Sequence, residues 1–443
     1  MQIGPDGCFH LTYCTKIHPG TGWQELFGHL HTQVPRLHAR LSPDRPFGLG
    51  LRLSAAESEE LLTGGNLEEL RAFLAAQGLY VFTMNGFPYG AFHGGQRVKS
   101  QVFAPDWREE TRVRYTLRLV GILRQLLPLG LEGSISTSPL SYKPWVNPGD
   151  TAALERICAN LAVVVEEMAR IRDEESKLLH LDLEPEPDGL VENSGELTAF
   201  FRDWLLPKAA PLLARRLDIP LTKAQELVLT HLRVCLDTCH LAVAYEDPAA
   251  ALDGFDREGI KVGKVQITAG LKVPLPPDAA GRAALARQLQ DFADSPYLHQ
   301  VLARQGNGGR RQFPDLAAAL PTLPDSRDRE WRIHFHTPLF VARHGMLLST
   351  RDETRAVLDL LRARGFCRHL EIETYTWEIL PPELKKDLVD SLELEYLWVL
   401  ANLVGTKKII SPYSPTPPSP PVESAGSPAG AAIAGSAADP SFR

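Results

Sequence analysis

Short apolar segments recur along this chain, and in most of them every second residue is polar. Side chains of a strand point alternately to its two faces. In HLDLE, Leu181 and Leu183 share one face, and His180, Asp182 and Glu184 share the other. In RVCLD, Leu236 opposes Cys235 and Asp237. In VQIT, Val265 and Ile267 oppose Gln266 and Thr268. In RIHFH, Ile333 and Phe335 oppose His334 and His336, and in LEIET, Leu370 and Ile372 oppose Glu371 and Glu373. A parallel sheet with helices on both faces reads instead as nearly continuous apolar runs. The chain must therefore place one polar strand face somewhere other than under a helix.

Nine segments carry the strand signal: CFHLTYC, FGLGLRL, LYVFTMN, LEGSISTS, LLHLDLE, RVCLDTC, GKVQITA, WRIHFHT and RHLEIET. Helical patterns lie between most of them. Thr151 to Lys177 carries Leu154, Ile157, Leu161, Val164, Val165 and Met168 at helical spacing. Thr350 and Glu353 form a capping-box pattern before another helix, and Pro381 and Pro382 lead into one that ends near Gly405. Strand and helix alternation argues for parallel βαβ units and an α/β fold. A (β/α)8 TIM barrel turns the apolar faces out toward the helices and the polar faces inward. The barrel needs eight strands, so WRIHFHT is taken as the extra one.

Barrel active sites lie at the carboxyl ends of the strands. Asp237 ends its strand pointing inward, and His240 follows where it can fold back over the same mouth. Glu184 and Glu373 end their strands in the same way. Such a cluster is expensive to bury unless a divalent cation compensates it. The expected metal-linked residues are Glu184, Asp237, Gln266, His334, His336 and Glu373, with Glu184, Glu373 and His240 in catalytic roles. His10, Asn85, His93 and Lys264 are the expected ligand contacts. Lys264 and Arg52 point inward by parity and can hold a phosphate or pair with a glutamate. GFPYGAFHG, with Phe87, Tyr89, Phe92 and His93, is either a lid over the mouth or a tightly turned structural loop.

Composition narrows the classes. The net charge is -7 and no run of five or six lysines or arginines occurs, so no general nucleic-acid surface is expected. The six cysteines make no CxxC pair and read as reduced thiols of a cytoplasmic protein. No signal peptide and no membrane span is expected. Residues 1–410 read as the barrel. Residues 411–443 are rich in Pro, Ser, Ala and Gly and read as a disordered tail, since they cannot offset their ordering entropy by burial.

LDTCH resembles the D-x-x-H strand end of the xylose isomerase-like TIM barrels, which include sugar phosphate isomerases, epimerases and type IV apurinic endonucleases. A closer likeness runs from Cys8 to Gly405 through HLTYCTKIHPG, FTMNGFPYGAFHG, LHLDLEPEPDG, CLDTCHLAV and LEIETYTWEILP. These stretches resemble the metabolite traffic protein EboE family of that superfamily. The resemblance implies one divalent metal (Mn, Mg or Zn), with Glu184, Asp237 and Glu373 matching three ligands. His240 matches a histidine that meets substrate in the epimerases and metal in the endonucleases. Gln266 stands where the remaining ligand is expected, so His334 or His336 takes its place, or the metal is weakly held or absent. Two readings stay open. One is an isomerase or epimerase acting on a polyol, cyclitol or sugar-like intermediate of secondary metabolism. The other is a non-catalytic binder or carrier of such a compound, working beside other proteins of its pathway. An endonuclease-like phosphodiesterase fits less well, because the third and fourth strands end in Asn85 and in Ser136 or Ser138 rather than in histidines.

Overall fold

The computed structural model describes residues 1–90, 99–293, 299–377, 380 and 384–405. In chain order the strands among them are β1 (Gln2–Ile3), β2 (Phe9–Tyr13), β3 (Phe47–Arg52), β4 (Leu79–Asn85), β5 (Gly133–Thr137), β6 (Leu179–Leu183), β7 (Leu232–Asp237) and β8 (Val262–Ile267). They continue as β9 (Leu271–Pro274), β10 (Val301–Gln305), β11 (Arg310–Phe313), β12 (Asp328–Ile333), β13 (Arg343–His344), β14 (Leu347–Ser349) and β15 (His369–Ile372).

Eight of these strands form the barrel. Their order is β2-β15-β8-β7-β6-β5-β4-β3, parallel throughout, with β1 antiparallel on the outer side of β2. The ring closes from β3 back to β2 through one parallel bridge, Cys14 to Gly50. The Thr12 hydroxyl donates to the Gly48 carbonyl at the same seam, at 3.0 Å. The chain is thus a (β/α)8 TIM barrel, nearly closed.

The strands' apolar face packs under the helices. Leu11, Leu49, Leu181, Val265 and Leu370 are all fully buried in one continuous core. Each such side chain contributes about 1.5–3 kcal/mol. The Thr151–Glu175 helix supplies Ile157, Leu161, Val164, Val165 and Met168 to that core. Asp150 starts the helix by accepting from the Ala153 N–H at 3.0 Å.

The inward face is polar, as the alternation requires, and most of it is satisfied by its own members. Lys264 Nζ lies 2.5 Å from Glu371 and donates to the Ser136 hydroxyl at 3.1 Å. Asp182 accepts from Ser134 and pairs with His180 Nδ1, each at 2.6 Å. Two strand glycines make the room. A Cβ on Gly50 would sit 2.1 Å from Glu371 Oε1, and one on Gly263 would sit 2.0 Å from Asp182 Oδ1.

The WRIHFHT strand does lie outside the barrel, but not alone. Between β8 and β15 the chain builds a second, antiparallel sheet of six strands, in the order β11-β10-β12-β9-β14-β13. It has its own small core of Leu271, Val273, Leu289, Val301, Trp331 and Phe335.

Two helix starts differ from the sequence pattern. The Thr350 hydroxyl makes no capping box with Glu353; it accepts from the Gly270 N–H at 2.7 Å, and Glu353 instead pairs with Lys272 and Arg332. The last helix, Leu388–Leu403, is capped by Asp387, while Pro381 and Pro382 fall outside the described residues. Ala91 to Val98, with Phe92 and His93 of the expected lid, and the 411–443 segment also fall outside them. Among the described residues no helix is long and apolar enough to cross a membrane.

Candidate metal centre at the carboxyl end of the barrel

The end of β7 builds the first part of the centre. Asp237 caps the short Thr238–Val243 helix. Its Oδ1 accepts from the Cys239 N–H at 2.7 Å, the His240 N–H at 3.0 Å and the Thr268 hydroxyl at 2.6 Å. These three bonds fix the carboxylate and leave Oδ2 buried with no partner. The same helix turns His240 back over the barrel mouth. His240 Nδ1 donates to the Pro185 carbonyl at 3.1 Å, so its lone pair is on Nε2.

The second sheet supplies two more imidazoles. The chain leaves β12 at Ile333, and His334 and His336 follow at once. Thr337 N–H donates to the Ala269 carbonyl at 2.7 Å, which sets His336 beside the end of β8. His334 Nδ1 donates to Gln300 Oε1 at 2.9 Å; the Gln300 amide group donates to the Pro187 carbonyl, which fixes the side chain's orientation. His336 Nδ1 donates to the Glu373 carbonyl at 2.7 Å, and its Nε2 is buried without a partner.

All three imidazoles thus spend Nδ1 on a carbonyl-type oxygen and turn Nε2 toward one another. Nε2 of His240 lies 3.0 Å from Nε2 of His334. Burial holds both rings neutral, His240 down at about 4 and His334 well below its ordinary value, where neighbouring His240 and His336 add to the effect. Neither Nε2 then carries a hydrogen, and two lone pairs face each other at hydrogen-bond distance. A cation in front of them removes the repulsion.

The carboxylates close the set. Glu184 and Glu186 follow β6 and are both buried, each with one oxygen that has no partner. Glu184 Oε1 lies 3.7 Å from His240 Nδ1, and Glu186 Oε2 lies 3.9 Å from His240 Nε2. Burial, then the charges of Glu373, Asp237 and Glu186, pushes the Glu184 carboxyl well up. Three overlapping groups have ligand atoms within 4.8 Å of one another: His240, His334 and His336; Asp237, Cys239 and His336; and Glu184, Asp237 and His240.

The other expected residues separate from this set. Glu373 stands beside it, its Oε1 held by Lys16 Nζ at 2.6 Å and by Asn85 Nδ2 at 2.7 Å. Burial pushes the Glu373 carboxyl up, but Lys16 and then His336 outweigh that and hold it below its ordinary value. Gln266 stands opposite Asp237 in the sheet, and its Oε1 accepts from the Cys235 thiol at 3.2 Å. Lys264 is the ion partner of Glu371, inside the barrel rather than at its mouth. His10 lies at the start of β2, at the opposite end of the barrel, with Nδ1 on the Tyr80 hydroxyl at 3.0 Å. Arg52 is spent on Glu57 and on the Pro88 and Gly90 carbonyls, where it holds the start of the loop after β4.

Lys16 and Gln300 stand beside the centre and were not singled out by the strand pattern, whereas Thr268 lies on the polar face that the pattern marked. Lys16 had a signal. It lies three residues beyond the last residue of β2, as Glu186 does beyond β6 and His240 beyond β7.

No protein-family model and no curated protein matches the chain. Solved structures do. A xylose isomerase-like TIM barrel protein from Mycobacterium smegmatis, in complex with magnesium, is 12% identical with a TM-score of 0.45, over 90% of this chain and 97% of that one. The IolI protein with a bound zinc atom is 11% identical with a TM-score of 0.43, over 89% and 98%. The probable 3-DHS dehydratase AsbF of petrobactin synthesis from Bacillus anthracis is 11% identical with a TM-score of 0.39, over 88% and 98%.

Proposed function

We propose that the chain is a metal-dependent isomerase or epimerase acting on a polyol, cyclitol or sugar-like compound. One observation carries the metal: three imidazoles with Nδ1 committed to oxygen acceptors and Nε2 aimed at common ground, beside the free Oδ2 of Asp237. His240, His334, His336 and Asp237 would hold the ion, with Glu184 within reach. Imidazole donors suit zinc better than manganese or magnesium. When bound, the metal supplies a Lewis acid that polarises a carbonyl and its neighbouring hydroxyl.

The chain's own groups handle the proton. Glu373, fixed by Lys16 and Asn85, takes it from the carbon between those two oxygens. Glu184 or Glu186 delivers its own proton to the opposite face of that carbon, leaving Glu373 protonated, since burial pushes both carboxyls well up. The likeness of FTMNGFPYGAFHG to the EboE family supports an intermediate of secondary metabolism as the ligand.

A binder or carrier is the second reading. It is favoured by Glu373, whose Oε1 is already shared by two donors. Metal analysis by mass spectrometry on protein purified without chelator tests the centre. About one divalent ion per chain is expected, lost in His336→Ala. A folded, metal-free wild type would overturn the reading. Solvent deuterium exchange into a panel of ketose and inosose ligands then separates enzyme from carrier. Exchange that disappears in Glu373→Gln marks the enzyme, and binding with no exchange marks the carrier.

A further inference from the structure

The barrel has a second polar end. Beneath the amino ends of its strands lies a cavity of about 510 Å³, lined among others by His10, Glu132, Arg233, Lys261, Arg368 and His369. That volume falls in the range of small-molecule sites, about 300–1,000 Å³. The other end of the same strands holds the metal centre, so the two sites do not share a side chain.

Its charges are unevenly spent. Glu132 is taken by Arg233 at 2.8 Å. Lys261 and Arg368 have no carboxylate within ion-pair distance among the described residues, although both line the cavity. They stand just before the first residues of β8 and β15, which are paired neighbours in the sheet. Two unpaired cations therefore border one concave surface. Asp256 is the other carboxylate on the lining.

The floor also asks for a partner. His369 is buried at 4% exposure and lies between His10 and His180, with ring centroids 6.2 and 5.7 Å away. Its Nδ1 has no hydrogen-bond partner. Unsatisfied buried nitrogens are costly and call for water or a ligand. Phe255 and Phe366 give the same cavity an apolar wall.

We propose that this cavity is a second ligand site, for a small organic anion bearing a carboxylate or a phosphate. Lys261 and Arg368 take the charged group, His369 lies at the floor beneath it, and the apolar wall carries the rest of the molecule. An inorganic ion alone would leave most of the volume unfilled.

Isothermal titration calorimetry of the full chain tests this, with citrate and phenyl phosphate as separate probes in a zwitterionic buffer. One saturable site is expected for at least one probe, and which probe binds identifies the anionic group. The Lys261→Ala, Arg368→Ala double variant should bind at least about tenfold more weakly. Both side chains are exposed, so the fold should survive. His336→Ala, at the opposite end, should bind as the wild type does. No saturable binding of either probe overturns the proposal. So does full affinity in the double variant, or loss of binding in His336→Ala, which would place the anion at the metal centre. A rise in thermal midpoint with the probe, present in the wild type and absent in the double variant, gives the same answer without calorimetry.

Discussion

In the proposed proton transfer, a Glu373 carboxylate free to rotate toward three imidazoles would lose its aim at the substrate carbon. Lys16 and Asn85 prevent that by gripping one oxygen of Glu373 from two sides, and the Tyr375 ring lies 4.7 Å below the Lys16 ammonium. Replacing Lys16 with Met should lower the rate of solvent deuterium exchange about 10²-fold while leaving the bound metal in place. The exchange rate and the metal content, measured on one preparation, check this together. An unchanged rate would remove Lys16 from the proton-transfer apparatus. The residue scale also shows where strand parity stops informing. It put Asp237, Glu184 and Glu373 at the mouth, because each ends its strand. His10 and Lys264 share the inward face, but parity reports a face and not a depth. One lies at the floor of the barrel and the other in its middle, spent on Glu371.

At the scale of elements, the second sheet takes over what the end of β8 does not supply. Gln266 is bonded to Cys235, and the chain then leaves for the six-stranded excursion. It comes back through Thr337, bonded to the Ala269 carbonyl, which delivers His336 to the position beside the end of β8. In the proposed metal centre, ligand supply and sheet docking are therefore one event. Gln266→Ala should leave metal affinity within a few-fold, whereas His336→Ala should lower it by at least about 100-fold. Competition with a chromophoric chelator measures both. Metal removal should also speed amide hydrogen exchange in the 328–337 segment more than in β4 or β5. Equal exchange with and without metal would mean that the sheet docks without help from the ion. The eight barrel strands were legible because apolar residues recur at every second position in most of them and a helical pattern follows most of them. The second sheet was not. β13 and β14 span two and three residues, and β11 reads RRQF with no residue fully buried. Pairing, not sequence pattern, makes these segments strands.

At the scale of the whole molecule, one buried carboxyl joins three parts of the chain. Glu395, on the last helix, accepts from the Leu339 N–H at 2.6 Å and from the Thr374 hydroxyl at 2.8 Å. It thereby ties that helix to the segment leaving the second sheet and to the segment following β15. Burial pushes its carboxyl up to about 8 against these two bonds. The folded protein thus binds this proton more tightly than the unfolded chain, whose ordinary value is 4.5. The stabilisation is complete below about 4.5 and is lost as pH rises through about 8. Between these values the unfolding free energy should fall by at most about 1.4 kcal/mol per pH unit on account of this group. Other buried carboxyls titrate too, so the informative quantity is the difference from Glu395→Gln. Glutamine keeps an oxygen for Leu339 and cannot ionise. Urea unfolding at pH 5, 6, 7 and 8 should show the variant gaining on the wild type at each step. Parallel curves for the two proteins would mean that Glu395 ionises in the folded protein as readily as in the unfolded chain, and would overturn the raised carboxyl.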